Sequence, residues 1–258
     1  MRISVNWLRE WLPAAPEPRD LAARLTMAGL EVEAVEAAAP PLKGVVVGEI
    51  VEREKHPDAD TLSVCSVSTG DAVLQIVCGA PNARVGLKAP LATIGSRLPG
   101  GMEIRRAKLR GVESLGMLCS ARELGLSEEG SGLMELPADL PAGAPLDQAL
   151  ALDDTILEVN LTPNRGDCMG MLGVAREVAA LTDVLFDPPQ AALVPAQSAE
   201  CVPVELTPGA GCARFAARVI RGVRADAEAP LWMRERLRRA GLRPLGAIVD
   251  VTNYVMLE

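Results

Sequence analysis

Between positions 84 and 110 the chain carries seven basic residues, Arg84, Lys88, Arg97, Arg105, Arg106, Lys108 and Arg110, against one acid, Glu103. Such a strip can contact anions. In an extended segment alternate side chains share a face, so Arg106, Lys108 and Arg110 would project together, about 7 Å apart. That spacing resembles the phosphates of a nucleic-acid strand, and such contacts give salt-dependent, sequence-blind affinity. A solvated strand face has the same pattern, and the charges alone do not separate the two. Residues 152–190 show the opposite balance, two basic against seven acidic, and the whole chain has a net charge of −8. This excludes a generic nucleic-acid-coating protein and leaves an acidic molecule with one basic face.

The other reactive residue types restrict the chemistry further. His56 is the one histidine among 258 residues, which excludes a two-histidine zinc site and the H-E-x-x-H pattern. In the run His56-Pro57-Asp58-Ala59-Asp60 a turn bounded by Pro57 is expected, with Asp58 or Asp60 capping local amides, in preference to a metal site. Ser114, Cys119 and Ser120 lie along GVESLGMLCS, but no second histidine exists to activate a nucleophile. The six cysteines have irregular spacings without a C-x-x-C, so buried, reduced thiols are expected. Asn164-Arg165-Gly166-Asp167-Cys168 falls between a strand and a helix. Asp167 is expected to cap that helix and Gly166 to supply an unusual turn. No phosphate-loop pattern follows, which argues against ATP binding there.

These residues must be held by short elements. Hydrophobic residues make up 49% and charged residues 23%, ordinary values for a globular protein, and no apolar stretch is long enough to span a membrane. The first residues lack a signal-peptide core, so a soluble, cytoplasmic protein is expected. A strand is predicted at 2–5, a helix at 6–11 capped by Asn6, a helix at 19–28 stopped by Gly29, and a strand at 31–35. Strands follow at 44–54, 62–70, 72–80, 88–95, 103–111 and 133–137, with a tight turn at Gly70-Asp71 and a helical piece near 120–125. That spacing fits a five-stranded closed barrel of the OB type. A strand at 155–161 and a helix at 170–182 come next. Beyond a proline-rich joint, strands are predicted at 201–206 and 213–221, a helix at 231–240, and a final apolar strand ending in the small polar groups Thr252 and Asn253. An element still apolar at Leu257 should continue, so the chain is expected to be part of a longer one.

Residues 56–126, from HPDADTLSVCSVSTG to LGMLCSARELGL, resemble the tRNA-binding OB module of aminoacyl-tRNA synthetases and their accessory factors. MRISVNWLREWL at the start, EVNLTPNRGDCMGMLGVAREVAAL at 158–181 and IVDVTNYVMLE at 248–258 are similar to the bacterial phenylalanyl-tRNA synthetase beta chain. The resemblance implies a multi-domain α+β protein. A small N-terminal domain comes in two pieces, 1–39 and 152–190, and an OB-fold barrel is inserted at 40–151. The start of a proofreading domain of the B3/B4 type occupies 191–258. It further implies tRNA contact through Arg84, Lys88, Arg106, Lys108, Arg110, Ser114, Met117 and Ser120, and a proofreading-pocket position for Thr252 and Asn253. The implied partners are the phenylalanine tRNA and a synthetase alpha chain, in a two-alpha, two-beta tetramer. ATP and magnesium serve the complete enzyme; no catalytic residue, cofactor or metal is expected on this chain, and neither a membrane nor DNA is an expected partner. The competing readings are a non-enzymatic tRNA-binding module and a purely structural packing module. Residues 12–185 contain no aromatic side chain. Base stacking is therefore unavailable, and RNA would have to be held by backbone and shape contacts.

Overall fold

A computed structural model describes residues 1–128 and 130–258. The chain opens with strand β1 (Arg2–Ser4) and helix α1 (Val5–Trp11). Ser4, two residues before the predicted Asn6, is the helix cap: its Oγ accepts the Trp7 N–H at 3.1 Å. The side chain that reaches this third amide lies before the first helical residue, and Asn6 is already inside the turn. Helix α2 (Pro18–Met27) buries Leu21 and Leu25 and stops at Gly29, whose φ of +93° favours glycine. Strand β2 (Glu31–Ala37) follows.

Strands β3 (Val45–Lys55), β4 (Ser63–Ser68), β5 (Val73–Cys78) and β6 (Lys88–Thr93) come next. A hairpin of β7 (Ala107–Leu109) and β8 (Val112–Ser114) precedes β9 (Gly116–Leu118). The five-stranded antiparallel sheet has the order β5-β4-β3-β6-β9. The long β3 serves two neighbours, β6 along Val45–Glu49 and β4 along Glu49–Lys55, with an irregularity between Ile50 and Glu52. That bend lets the sheet curl into a nearly closed OB-like barrel. The free edges meet where the Leu115 N–H donates to the Gln75 carbonyl at 2.9 Å. Ile50, Cys65, Val67, Ile76, Ala89 and Leu91 fill the interior. At Gly48 a Cβ would stand 2.8 Å from Val67 and 2.9 Å from Leu91, so only glycine lets β3 lie this close to them.

After helix α3 (Leu146–Ala149), strand β10 (Thr155–Asn160) returns between β1 and β2, giving the order β1-β10-β2. Helix α4 (Met171–Thr182) covers this sheet together with α1 and α2, and Ile3, Leu8, Leu21, Leu25, Leu157 and Val174 share one core. Helices α5 (Leu231–Arg239) and α6 (Ala247–Leu257) pack on each other and on the first unit. Tyr254 stacks on Trp7 with centroids 5.2 Å apart, and the Arg236 guanidinium lies over Trp7 and Trp232. Deeper in, Arg239 of α5 meets the fully buried Asp154 side chain at 3.0 Å. No helix among the described residues is long and apolar enough to cross a membrane.

Several expectations need correction. The stretch 103–111 is not one strand: only 107–109 is, because the chain reverses at Arg110-Gly111. Residues 133–137 contribute a lone bridge from Leu136 to Lys88, and 121–126 form successive turns with no helix. Residues 201–206 and 213–221 form no strands, and Val202, Val204, Phe215 and Ile220 are exposed. A strand needs a ladder partner for its backbone, and among the described residues none lies beside them. The final apolar run is a helix, so Thr252 and Asn253 sit on α6 and not at a strand end. Cys201 and Cys212 are exposed, unlike the other four cysteines.

A candidate nucleic-acid interface on the barrel

The hairpin β7–β8 stands outside the five-stranded sheet and carries much of the basic strip. Its two-residue turn places Arg110 at φ +48° and Gly111 at φ +85°, the mirror-image turn that matches strand twist. Holding an arginine in the left-handed region is unusual and costs roughly 1 kcal/mol. The turn also breaks the side-chain alternation. Arg106 and Lys108 share a face, but Arg110 sits in the turn and does not extend that row.

The opposite face of this segment lines a cavity of about 640 Å³. Arg105, Ala107 and Leu109 form one wall, and Ser114, Met117 and Ser120 belong to the floor. Three residues implied by the resemblance are thus brought together here. Ser114 is buried; its Oγ accepts the Val77 N–H at 3.1 Å and donates to the Gly116 carbonyl at 2.9 Å. Ser120 is clasped by Glu123, whose Oε2 takes both its N–H and its hydroxyl. Both serines therefore shape the groove through bonds already made.

The cations are tied down to different degrees. Arg106 makes a two-pronged contact with Glu113 at 2.6 and 2.8 Å, and that guanidinium holds the Glu113 carboxyl below the usual carboxylate range. Arg105 does the same for Glu103. Arg84 grips Glu135 at 2.7 Å through both nitrogens and lies away from the groove. Lys88 is 13% exposed, and its ammonium donates to the Ala138 and Leu140 carbonyls at 2.6 Å. It fastens the segment that leaves the barrel. Arg105 lines the wall although it is not among the tRNA-contacting residues that the resemblance implies; its strand parity with Leu109 is the signal that points to it.

His56 is 2% exposed and uses both ring nitrogens. Nδ1 accepts the Asp58 N–H at 3.1 Å, so the proton is on Nε2, which donates to the Leu109 carbonyl at 3.0 Å. The expected turn is present, but the histidine caps it, and Asp60 pairs with Lys55.

The 160s loop also departs from expectation. Gly166 has no left-handed backbone, and Asp167 does not cap α4, whose N-cap is Gly170, with no side-chain cap. Asp167, Cys168 and Glu177 have ligand atoms within 4.8 Å of one another. Arg165 fills that cluster: its Nη2 reaches all three, at 3.0, 3.0 and 2.9 Å. The set does not fit magnesium, which needs open oxygen ligands. The arginine pulls the Asp167 carboxyl down to about 2, and burial pushes the Cys168 thiol up to about 11. On α6, Thr252 donates to the Val249 carbonyl at 2.7 Å, and buried Asp250 accepts the Leu245 N–H at 2.8 Å.

Comparison with known proteins follows the same division. The tRNA_bind family, a tRNA binding domain, matches residues 45–145, and the B3/4 domain family matches residues 211–258. All of the chain matches the phenylalanine–tRNA ligase beta subunit of Pseudomonas putida at 54% identity and that of Bordetella bronchiseptica at 56%, covering 32% of each. The chain thus spans about a third of these relatives. Among solved structures, a MetRS related protein from Pyrococcus horikoshii is 26% identical over 39% of this chain and 85% of its own, with a TM-score of 0.30. The C-terminal domain of Plasmodium vivax p43 is 22% identical over 38% of this chain and 56% of its own, with a TM-score of 0.29.

Proposed function

We propose, for a chain that belongs over its whole length with the phenylalanine–tRNA ligase beta subunits, that its barrel is a tRNA-binding module and that its two-piece N-terminal domain is scaffold. The whole-chain match carries the reading. The basic hairpin supports it, because Lys108 and Arg110 lie on it outside the groove, whose lining carries no aromatic side chain. Contact is to phosphate and sugar, so the barrel binds tRNA weakly and with little sequence preference, and phenylalanine specificity comes from other parts of the ligase. Residues 1–39 and 152–190 act as one discontinuous domain around the insert at 40–151; β10 between β1 and β2 supports that division. Residues 191–258 begin a proofreading domain that hydrolyses mischarged tyrosyl-tRNA, with Thr252 and Asn253 beside its pocket. This chain alone is catalytically inactive. The whole enzyme uses ATP and magnesium, works in the cytoplasm and pairs two alpha with two beta chains; neither ATP nor magnesium is assigned to this chain.

A structural packing role is favoured by one observation: Arg84, Arg105 and Arg106 are each neutralised by a glutamate. Titration with labelled phenylalanine tRNA and a non-cognate tRNA, at low and near-physiological salt, separates the two. Binding that weakens steeply with salt, and less steeply after joint Lys108→Gln and Arg110→Gln substitution, supports RNA contact. Two lost phosphate contacts should reduce the salt slope by about 1.4 to 1.8. No binding at low salt would leave the packing role.

A further inference from the structure

We infer that His56 is the positioning residue of the RNA-facing hairpin, an inference that rests on the tRNA-binding reading above. The hairpin is anchored to the barrel at its base. There, the Gln75 side chain donates to the Glu113 carbonyl at 2.8 Å and Ser114 bonds across to β5. Among the described residues, the polar tie from its tip to the barrel is the 3.0 Å bond from His56 Nε2 to the Leu109 carbonyl. Leu109 directly precedes Arg110, the residue held at φ +48°, and follows Lys108. The bond therefore fixes the backbone between the two cations assigned to RNA.

The imidazole is suited to this by having two distinct nitrogens. Nδ1 is used by the Asp58 N–H, which forces the proton onto Nε2 and makes that atom a committed donor. The ring itself is buried, and the backbone of His56, which directly follows β3, is fixed by its N–H donating to the Leu62 carbonyl at 3.1 Å. A hairpin of two three-residue strands has little stability of its own. Without the tie, the tip samples many positions, and the cost of ordering it is moved to the binding step.

The two halves of the ring can be tested apart. His56→Gln keeps a donor near the Nε2 position, and His56→Asn keeps an acceptor near the Nδ1 position. Each variant in the full 258-residue chain is titrated with labelled phenylalanine tRNA across salt, with thermal unfolding recorded in parallel. The expected result is a roughly tenfold loss of affinity in His56→Asn, with a salt slope reduced by about 1 to 2, and recovery of most of both in His56→Gln. Adding Lys108→Gln and Arg110→Gln to His56→Asn should cause little further loss, because the same contacts are removed. Hydrogen exchange at the hairpin amides gives a second readout and should rise in His56→Asn alone. Equal tRNA affinity in wild type and His56→Asn, or equal losses in both His56 variants, overturns the inference while leaving tRNA binding intact. Absence of binding by the wild type overturns the tRNA reading itself, and this inference with it.

Discussion

Replacing Asp154 by alanine should destabilise the first unit and its contact with α5 by about 3 kcal/mol. The Asp154 side chain is fully buried and accepts three bonds: from Ser4 Oγ at 2.6 Å, the Asn6 N–H at 2.9 Å and Arg239 Nη1 at 3.0 Å. Alanine leaves Arg239, itself 7% exposed, buried without its main counter-charge. Removing one partner of such a pair typically costs about 3–5 kcal/mol. The lower end applies because Glu235 remains 3.5 Å from Arg239, whose Nη2 keeps the Leu150 and Ala151 carbonyls. Joint Asp154→Leu and Arg239→Met substitution should cost far less, since no buried charge is stranded. Urea unfolding followed by tryptophan fluorescence reads this directly. Trp7, Trp11 and Trp232 all lie in this region and the barrel has no tryptophan, so the signal excludes the barrel. An alanine variant that loses less than about 1 kcal/mol, the range of solvated pairs, would refute the reasoning.

Two further outcomes follow from the charge and burial pattern. Asp167 is held at about 2, below its ordinary 3.8, first by its hydrogen bond from Arg165. A depressed carboxyl stabilises the fold fully above the ordinary value and loses that contribution as pH falls through the folded one. The Arg165 cluster should therefore loosen between about pH 4 and pH 2, and an NMR titration showing Asp167 at its ordinary value would contradict this. Cys65 and Cys119 are buried, and burial pushes them up to about 11 and about 12, whereas Cys201 and Cys212 are exposed. A thiol-reactive disulfide should modify Cys201 and Cys212 in the native protein, and the others only after unfolding; early reaction at Cys119 would be inconsistent with its placement.

Strands and helices whose signals are local were legible along the chain. The alternation SVCSVS became β4 with Cys65 and Val67 inside, and Gly70-Asp71 became the turn that joins it to β5. Met171, Val174 and Val178 lined one face of α4 as their helical spacing required. The whole-chain resemblance was legible for the same reason, being a matter of order along the chain. Tertiary structure decided what depended on distant partners. Apolar runs at 201–206 and 213–221 read as strands, yet strands form only where another strand supplies the ladder. IVDVTNYVMLE is apolar enough for a strand or a helix, and packing against α5, Trp7 and the first unit accompanies its helical form. Which cations are free was equally invisible. Glu113 and Glu135 lie seven and 51 residues from the arginines they neutralise, and only the folded chain brings them together. His56 is the clearest case: as an isolated histidine in a turn it had no assigned partner, and its role arises from a carbonyl 53 residues away.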